Sequence, residues 1–290
     1  MDQYKKLNLY IGWLVFALAT CVYFITMEKT ASLWDCGEFI AGAYKLQVVH
    51  APGAPLFLMI GKVFSLFASD PSQVALMVNS MSALASSFTI LFLFWTITAF
   101  GKKIYSSSGW AAWYHDGKID QSKIIIILGA GVVGSLAYTF SDSFWFSAVE
   151  GEVYALSSFF TAVTFWCILK WEESFGKPHA NKWLVLISFL IGLSIGVHLL
   201  SLLTIPAISL IWGWKTFKPG SLSAKDGTSD VFKKILGPLT ALAGGSILLF
   251  FLQGMLIPGT ASLMGMFDKF FVNSLGLGFN SGAIFFIFLI

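Results

Sequence analysis

Asp35 and Glu38 stand three residues apart in the densest polar stretch of an oily chain, residues 32–60, SLWDCGEFIAGAYKLQVVHAPGAPLFLMI. On a helix this spacing puts both carboxylates on one face. Near a lipid boundary a carboxylate loses hydration, and its pKa rises toward values useful for proton abstraction. The pair therefore reads as a general base, Asp35, with a partner, Glu38. Asp-x-x-Glu before an apolar run also fits a helix start, with Asp35 as N-cap and Glu38 as a relative of the capping box. Both readings stand, and one residue can serve both. His50, Pro52, Gly53 and Pro55 form a turn into a helix. Its N–H groups could hold a phosphate, with His50 as an added donor; the plainer reading is a Pro/Gly helix entry. Glu150 and Glu152 flank Gly151 beside Trp145 and Tyr154. They could bind a sugar hydroxyl, an acceptor amide or a metal, or form a solvated loop with an aromatic belt. Asp142 belongs to the same stretch. His198 lies inside the apolar region 183–214, either as a satisfied core residue or as a phosphate contact.

These residues must be positioned by membrane helices. Of 290 residues, 57% are hydrophobic, 17% aromatic and 11% charged, against about 25% charged in a soluble domain. Too few charges remain to cover a water-facing surface, so the expected solvent is a bilayer. The fold class is an all-α polytopic membrane protein. Spans are expected at about 7–27, 73–100, 124–140, 153–170 and 235–257, with a further one starting at 283. Residues 28–72 form a first external loop with two short helices, one after Asp35 and one over 55–68. Residues 141–151 and 258–280 read as loops. As one helix, 183–214 would run ~48 Å, so it reads as a hairpin of two short helices turning at 196–198. Pro206 is tolerable there if neighbouring helices, Ser201 or Thr204 satisfy the freed backbone groups. The final apolar run stops without a flank, so the 290 residues read as one N-terminal membrane module of a longer chain.

All 18 basic residues are lysine. In this layout 14 lie on the N-terminal side and four (Lys29, Lys45, Lys62, Lys269) on the other. The positive-inside rule then places the N-terminus in the cytoplasm and the Asp35 loop outside. The net charge of +3 is not clustered as a nucleic-acid footprint would be. Cys21, Cys36 and Cys167 carry no metal-type spacing and imply no disulfide framework. No metal motif is present; the scattered carboxylates only permit a divalent ion. The absence of a P-loop, a dinucleotide fingerprint or a nucleophile elbow speaks against a nucleotide cofactor.

Four motifs in order, WDCGEF at 34–39, HAPGAPLF at 50–57, FWFSAVEGEVYAL at 144–156 and GVHLLSLLTIP at 196–206, resemble the domain of unknown function 2723 family, also classed as glycosyltransferase family 117. This is a group of bacterial membrane proteins similar to protein O-mannosyltransferases. The resemblance implies a GT-C-type transmembrane helix bundle with a helical first external loop. It implies an inverting enzyme of the bacterial inner membrane, with its active-site loop periplasmic. Such an enzyme moves a sugar, mannose at the family level, from a polyprenyl-phosphate carrier to a protein Ser/Thr hydroxyl. Asp35 maps to the catalytic base and Glu38 to the second acidic member; His50, Pro52, Gly53 and Pro55 map to the histidine-proline motif. Ala51 departs from the more usual proline. Relatives grip the lipid phosphate with arginine; here His50, His198, Lys45, Lys62 or Lys269 must serve, or a further part of the chain. Trp34, Tyr44 and Trp145 are candidates for stacking on sugar or lipid. Rival readings are a GT-C enzyme with a lipid or glycan acceptor, a transporter or flippase, and a non-catalytic scaffold. The concentration of carboxylates in external loops speaks against transport.

Overall fold

A computed structural model describes residues 3–107, 114–115, 118–119, 121–217 and 230–289. The middle parts of the lysine-rich loops expected at 101–123 and 215–234, and the last residue of the final apolar run, lie outside the described residues. Six helical stretches are long and apolar enough to cross a membrane, as an all-α polytopic membrane protein requires. The described strands amount to one two-residue ladder, Tyr114–His115 with Lys118–Ile119. The chain divides into two compact units, Met1–Thr204 and Ile205–Ile290.

In the first unit, α4 (Val74–Ser107) is the central post, packed by α1 (Gln3–Thr26), α5 (Gln121–Thr139) and α7 (Val153–Ser174). Its inner face is built from small residues; Ser82, Ala83, Ser86 and Ser87 are fully buried. Small side chains let membrane helices approach closely, where van der Waals contact rather than water exclusion drives association. Gly131 of α5 completes one such approach: a Cβ there would stand 2.6 Å from Thr98 Cγ2 and 2.8 Å from Phe94 Cε2. Polar ties cross the bundle as well. Tyr23 donates to the Thr139 carbonyl at 3.0 Å, and Trp145 Nε1 donates to Thr26 Oγ1 at 3.0 Å.

The loop between α1 and α4 holds two helices, as the periodicity predicts: α2 (Cys36–Lys45) and α3 (Pro55–Ser65). They pack on each other and on the start of α4 through Phe39, Ile40, Phe57, Leu58, Val78 and Met81. The expected loop 141–151 instead contains α6 (Asp142–Ala148). Its hydrophobic side buries Phe144 and Ala148, which a loop reading based on its polar ends overlooked. The region 183–214 is broken as expected: α8 (Lys182–Ile195) ends at Gly196, and a short 3-10 turn over Leu199–Leu203 precedes α9 (Thr204–Thr216). Pro206 falls in the first turn of α9, where a missing N–H breaks no intrahelical bond. Ser201 and Thr204 donate to the His198 and Ser201 carbonyls instead.

The second unit corrects one expectation. Residues 258–280 are mostly helix. α10 (Asp230–Phe251) runs through a π-helical turn, Leu252–Leu256, into α11 (Ile257–Leu275). Ile-Pro-Gly reads as a break in sequence. Here Pro258 sits in the opening turn of α11, and the wider turn before it absorbs the absent donor. Asp268 then caps α12 (Ser281–Leu289), accepting from the Gly282 N–H at 3.1 Å.

The α4–α5 contact gives a direct test. Gly131→Ala is expected to cost ~1–3 kcal/mol by overpacking and to lower the thermal midpoint in detergent. Gly129→Ala has open space around it and should leave the midpoint unchanged or raise it.

Candidate functional site

Asp35 sits at the N-cap of α2, but its side chain makes no capping bond. Glu38, in the first turn, does not reach back to form a capping box. Its carboxylate goes to His50 instead, accepting from the backbone N–H at 2.6 Å and pairing with Nδ1 at 2.8 Å. The capping-box reading is thereby corrected: both carboxylates are released from helix-end duty. The cause is that α2 ends at Leu46 in the left-handed region and the chain doubles back, with the Gln47 N–H bonded to the Gly42 carbonyl. Glu38 is held below the usual carboxylate range by those His50 bonds, and Glu38 in turn raises the imidazole. His50 therefore favours the charged form.

The loop before α7 meets this pair from the other side. Glu150 and Glu152 are 4% and 3% exposed, so they are not a solvated rim. The Ser32 and Cys36 side chains beside Glu150 favour its charged form, while its Oε2 is buried without a hydrogen-bond partner. Glu152 caps α7, accepting from the Val153 N–H at 3.2 Å, while its Oε1 has no partner. Burial pushes the Glu152 carboxyl up to about 7, and the neighbouring Asp35 and Glu150 charges add to the rise. Burial also raises Glu150. The Cys36 thiol, buried beside both glutamates, is pushed up to about 12 and serves as a donor rather than a nucleophile.

Gly151 makes this approach possible. A Cβ on it would stand 2.9 Å from Asn79 Oδ1 and 3.0 Å from Ile40 Cγ1. Asn79 pins the other edge, its amide donating to the Glu28 and Thr30 carbonyls at 2.8 and 3.1 Å. The Glu28 N–H bonds the Val149 carbonyl at 2.9 Å. Sequence reasoning missed Asn79, Ser32 and Cys36. The available signal was an asparagine inside a span, since a polar side chain there defaults to a structural or functional role.

The HAPGAP turn serves a different purpose from the one its N–H groups suggested. The Leu56 and Phe57 N–H groups at the start of α3 donate to the Gly196 carbonyl at 2.7 and 3.4 Å, and the Gly53 N–H to the His50 carbonyl at 2.8 Å. These donors join the second and fourth motifs instead of facing an empty anion cradle. Gly53 adopts φ +78°, the left-handed conformation that glycine enters without a Cβ clash. Pro52 precedes it at the exposed tip. His198 caps the following 3-10 turn, Nδ1 accepting from the Leu200 N–H at 3.1 Å. That bond leaves the ring proton on Nε2. Burial lowers its pKa, so His198 is a neutral donor, 5.3 Å from the Tyr154 ring.

The structure thus brings Asp35, Glu38, His50, Glu150 and Glu152 together, with Tyr154 and His198 forming a separate pair. Trp34, directly before Asp35, is 87% exposed at φ +71°, a strained conformation for a bulky residue. Tyr44 lies at the far end of α2 between Lys45 and Lys62, whose Nζ atoms each stand 4.9 Å from its ring centre. Asp35, Glu38 and His50 offer ligand atoms within 4.8 Å of one another. Two carboxylates and an imidazole suit a divalent cation, although no spacing in the sequence announced one. The arrangement sets a half-buried carboxylate beside an imidazole whose proton affinity is raised and a carboxyl pushed up to about 7.

Residues 35–221 match the family described as Protein O-mannosyl-transferase TMEM260 N-terminal domain. Among curated proteins, the Protein O-mannosyl-transferase tmem260 of Dictyostelium discoideum is 26% identical over 160 residues, 55% of this chain and 17% of that one. The Protein O-mannosyl-transferase TMEM260 of Mus musculus is 28% identical over 182 residues, 62% of this chain and 22% of that one. The match therefore spans only about a fifth of these relatives' length. No solved structure matches the chain.

The raised Glu152 carboxyl has a measurable consequence. Its proton is held more tightly in the folded chain than in the unfolded one, so stability is lost as pH climbs from the ordinary carboxylate range through about 7. The thermal midpoint should fall across that window in the wild type and fall less in Glu152→Gln. Equal slopes would show that Glu152 is not buried as described.

Proposed function

The chain belongs to the protein O-mannosyl-transferase TMEM260 N-terminal domain family, and from that premise we propose that it carries the reaction centre of a GT-C-type membrane glycosyltransferase. In this reading the enzyme moves mannose from a polyprenyl-phosphate carrier to a Ser/Thr hydroxyl of a protein. The 290 residues act as one membrane module, with the N-terminus cytoplasmic and the Asp35 loop on the outer, periplasmic side of a bacterial inner membrane. The 14-to-4 lysine split supports that sidedness. The observation that carries the chemistry is the convergence of Asp35, Glu38 and His50 of the first loop with Glu152 at the start of α7.

The assignment of roles follows from what each group already does. Glu38 is engaged by His50, and Glu152 is driven toward its protonated form. Asp35 is left as the half-buried carboxylate without a capping duty. Asp35 takes the proton from the acceptor hydroxyl as its oxygen attacks the anomeric carbon. The bond from that carbon to the phosphate oxygen breaks, the electron pair leaves with the polyprenyl phosphate, and configuration inverts. The phosphate is a good leaving group and needs no acid. The charged His50 faces the developing negative charge. The neutral form of Glu152 limits repulsion in a cluster of carboxylates and can donate to a sugar oxygen. Exposed Trp34 offers a stacking face beside the base. A divalent ion held by Asp35, Glu38 and a neutral His50 would take the place of the imidazolium as the source of positive charge there. Pro52 and Gly53 set the turn that delivers His50; Glu150 braces α2 through Cys36. Tyr154 and His198 offer an aromatic face and a neutral N–H to the carrier.

Asp35→Asn in the full-length protein tests this assignment. With folding confirmed, transfer of mannose from polyprenyl-phosphate-mannose to an acceptor peptide should fall by ~10²–10⁴-fold, the usual worth of a general base. Unchanged turnover would remove Asp35 from that role.

A further inference from the structure

The first unit carries a second polar site, at the ends of its helices away from Asp35. Two helices measure the separation. On α4, Asn79 belongs to the carboxylate cluster, and Lys102 lies about 35 Å further along at ~1.5 Å per residue. On α7, Glu152 is the cap, and Lys170 lies about 27 Å beyond it. Between these distal ends and the start of α1 there is a cavity of about 380 Å³, lined among others by Lys5, Asn8, Trp95, Lys102, Trp166 and Lys170.

The lining is built for an anion at an oil–water boundary. Three lysines face one acidic residue, Glu173, which pairs with Lys170 at 3.0 Å. Lys170 Nζ also lies 5.3 Å from the Trp166 ring centre. Trp95 and Trp166 stand 5.8 Å apart as an aromatic wall, and tryptophan is enriched where protein meets lipid headgroups. Asn8 Oδ1 is buried with no hydrogen-bond partner; as an acceptor it suits a headgroup hydroxyl and not the phosphate itself. On the outward side of α1, Leu9 and Trp13 are exposed, an apolar track leading from the cavity along the membrane-spanning helix. A soluble anion has no use for that track; an acyl chain does.

We propose that this cavity binds the phosphate headgroup of an anionic glycerophospholipid, in the leaflet opposite the Asp35 cluster. Lys5, Lys102 and Lys170 supply the positive charge, and the acyl chains lie along α1. Basic pockets between membrane helices are established recognition sites for acidic lipid heads, and lysine serves phosphate as a point charge.

Native mass spectrometry of the full-length protein in detergent, titrated with phosphatidylglycerol or phosphatidylcholine, tests the proposal. Phosphatidylglycerol should be retained in preference to phosphatidylcholine, and millimolar inorganic phosphate should not displace it. Lys5→Gln with Lys170→Gln should weaken its binding about 25-fold, from a factor of about five per lysine. Lys177→Gln with Lys182→Gln, on the same face but outside the cavity, should bind as the wild type does. Equal retention of both lipids by the wild type would overturn the proposal without any variant having to fold. Full binding by a folded Lys5/Lys170 variant, or displacement by inorganic phosphate, would overturn it as well.

Discussion

The site depends on one carboxylate finding one histidine. Glu38 accepts from the His50 backbone N–H and pairs with its ring, and that double contact closes the chain between α2 and α3. Apolar packing of Phe39, Val49, Ala54 and Phe57 holds α2 against α3, and the Glu38 contact fixes the His50 ring within that frame. His50 is thereby set beside Asp35. The start of α3 then meets Gly196, whose carbonyl takes two of the helix's otherwise unpaired N–H groups. The Glu38–His50 pair joins the first motif to the second, and the Gly196 carbonyl joins the second to the fourth.

The second constraint is the cost of burying charge. Glu150 and Glu152 lie almost wholly out of water, where an ionised carboxylate is expensive unless it is paired. The chain meets that cost with the Ser32 and Cys36 side chains around Glu150, a helix cap at Glu152 and partial neutralisation of Glu152. Crowded carboxylates with different surroundings acquire different proton affinities, and such divergence separates acid, base and positioning roles at one site. Gly151 sets the spacing, because any larger residue would push the loop away from Asn79 and Ile40.

Much of this architecture was legible in the sequence, for reasons specific to each element. Periodicity gave α2, Pro55 before an apolar run gave α3, and the ~48 Å that an unbroken 183–214 helix would require demanded a break, expected at 196–198 and found from Gly196. The clustering of Asp35, Glu38 and His50 was legible as a motif, but not as a bond. Asp-x-x-Glu carries a strong local signal for a capping box, and only the return of the chain at Leu46 diverts Glu38 to a residue twelve positions away. Glu150 and Glu152 read as a polar loop, because sequence does not reveal that a glycine lets that loop sink against α4. The 258–280 error has the same origin: Pro and Gly signal a break locally, while a π-helical turn carries the helix through.

The central claim is that Glu38 raises the proton affinity of His50 beside Asp35. Site-specific ¹³C labelling of histidine, read by NMR titration in the wild type and in Glu38→Gln, measures it most directly. The His50 pKa should lie above the ordinary imidazole value in the wild type and drop to or below it once the carboxylate is gone. An ordinary His50 pKa in the wild type, or one that Glu38→Gln leaves unmoved, would contradict the account.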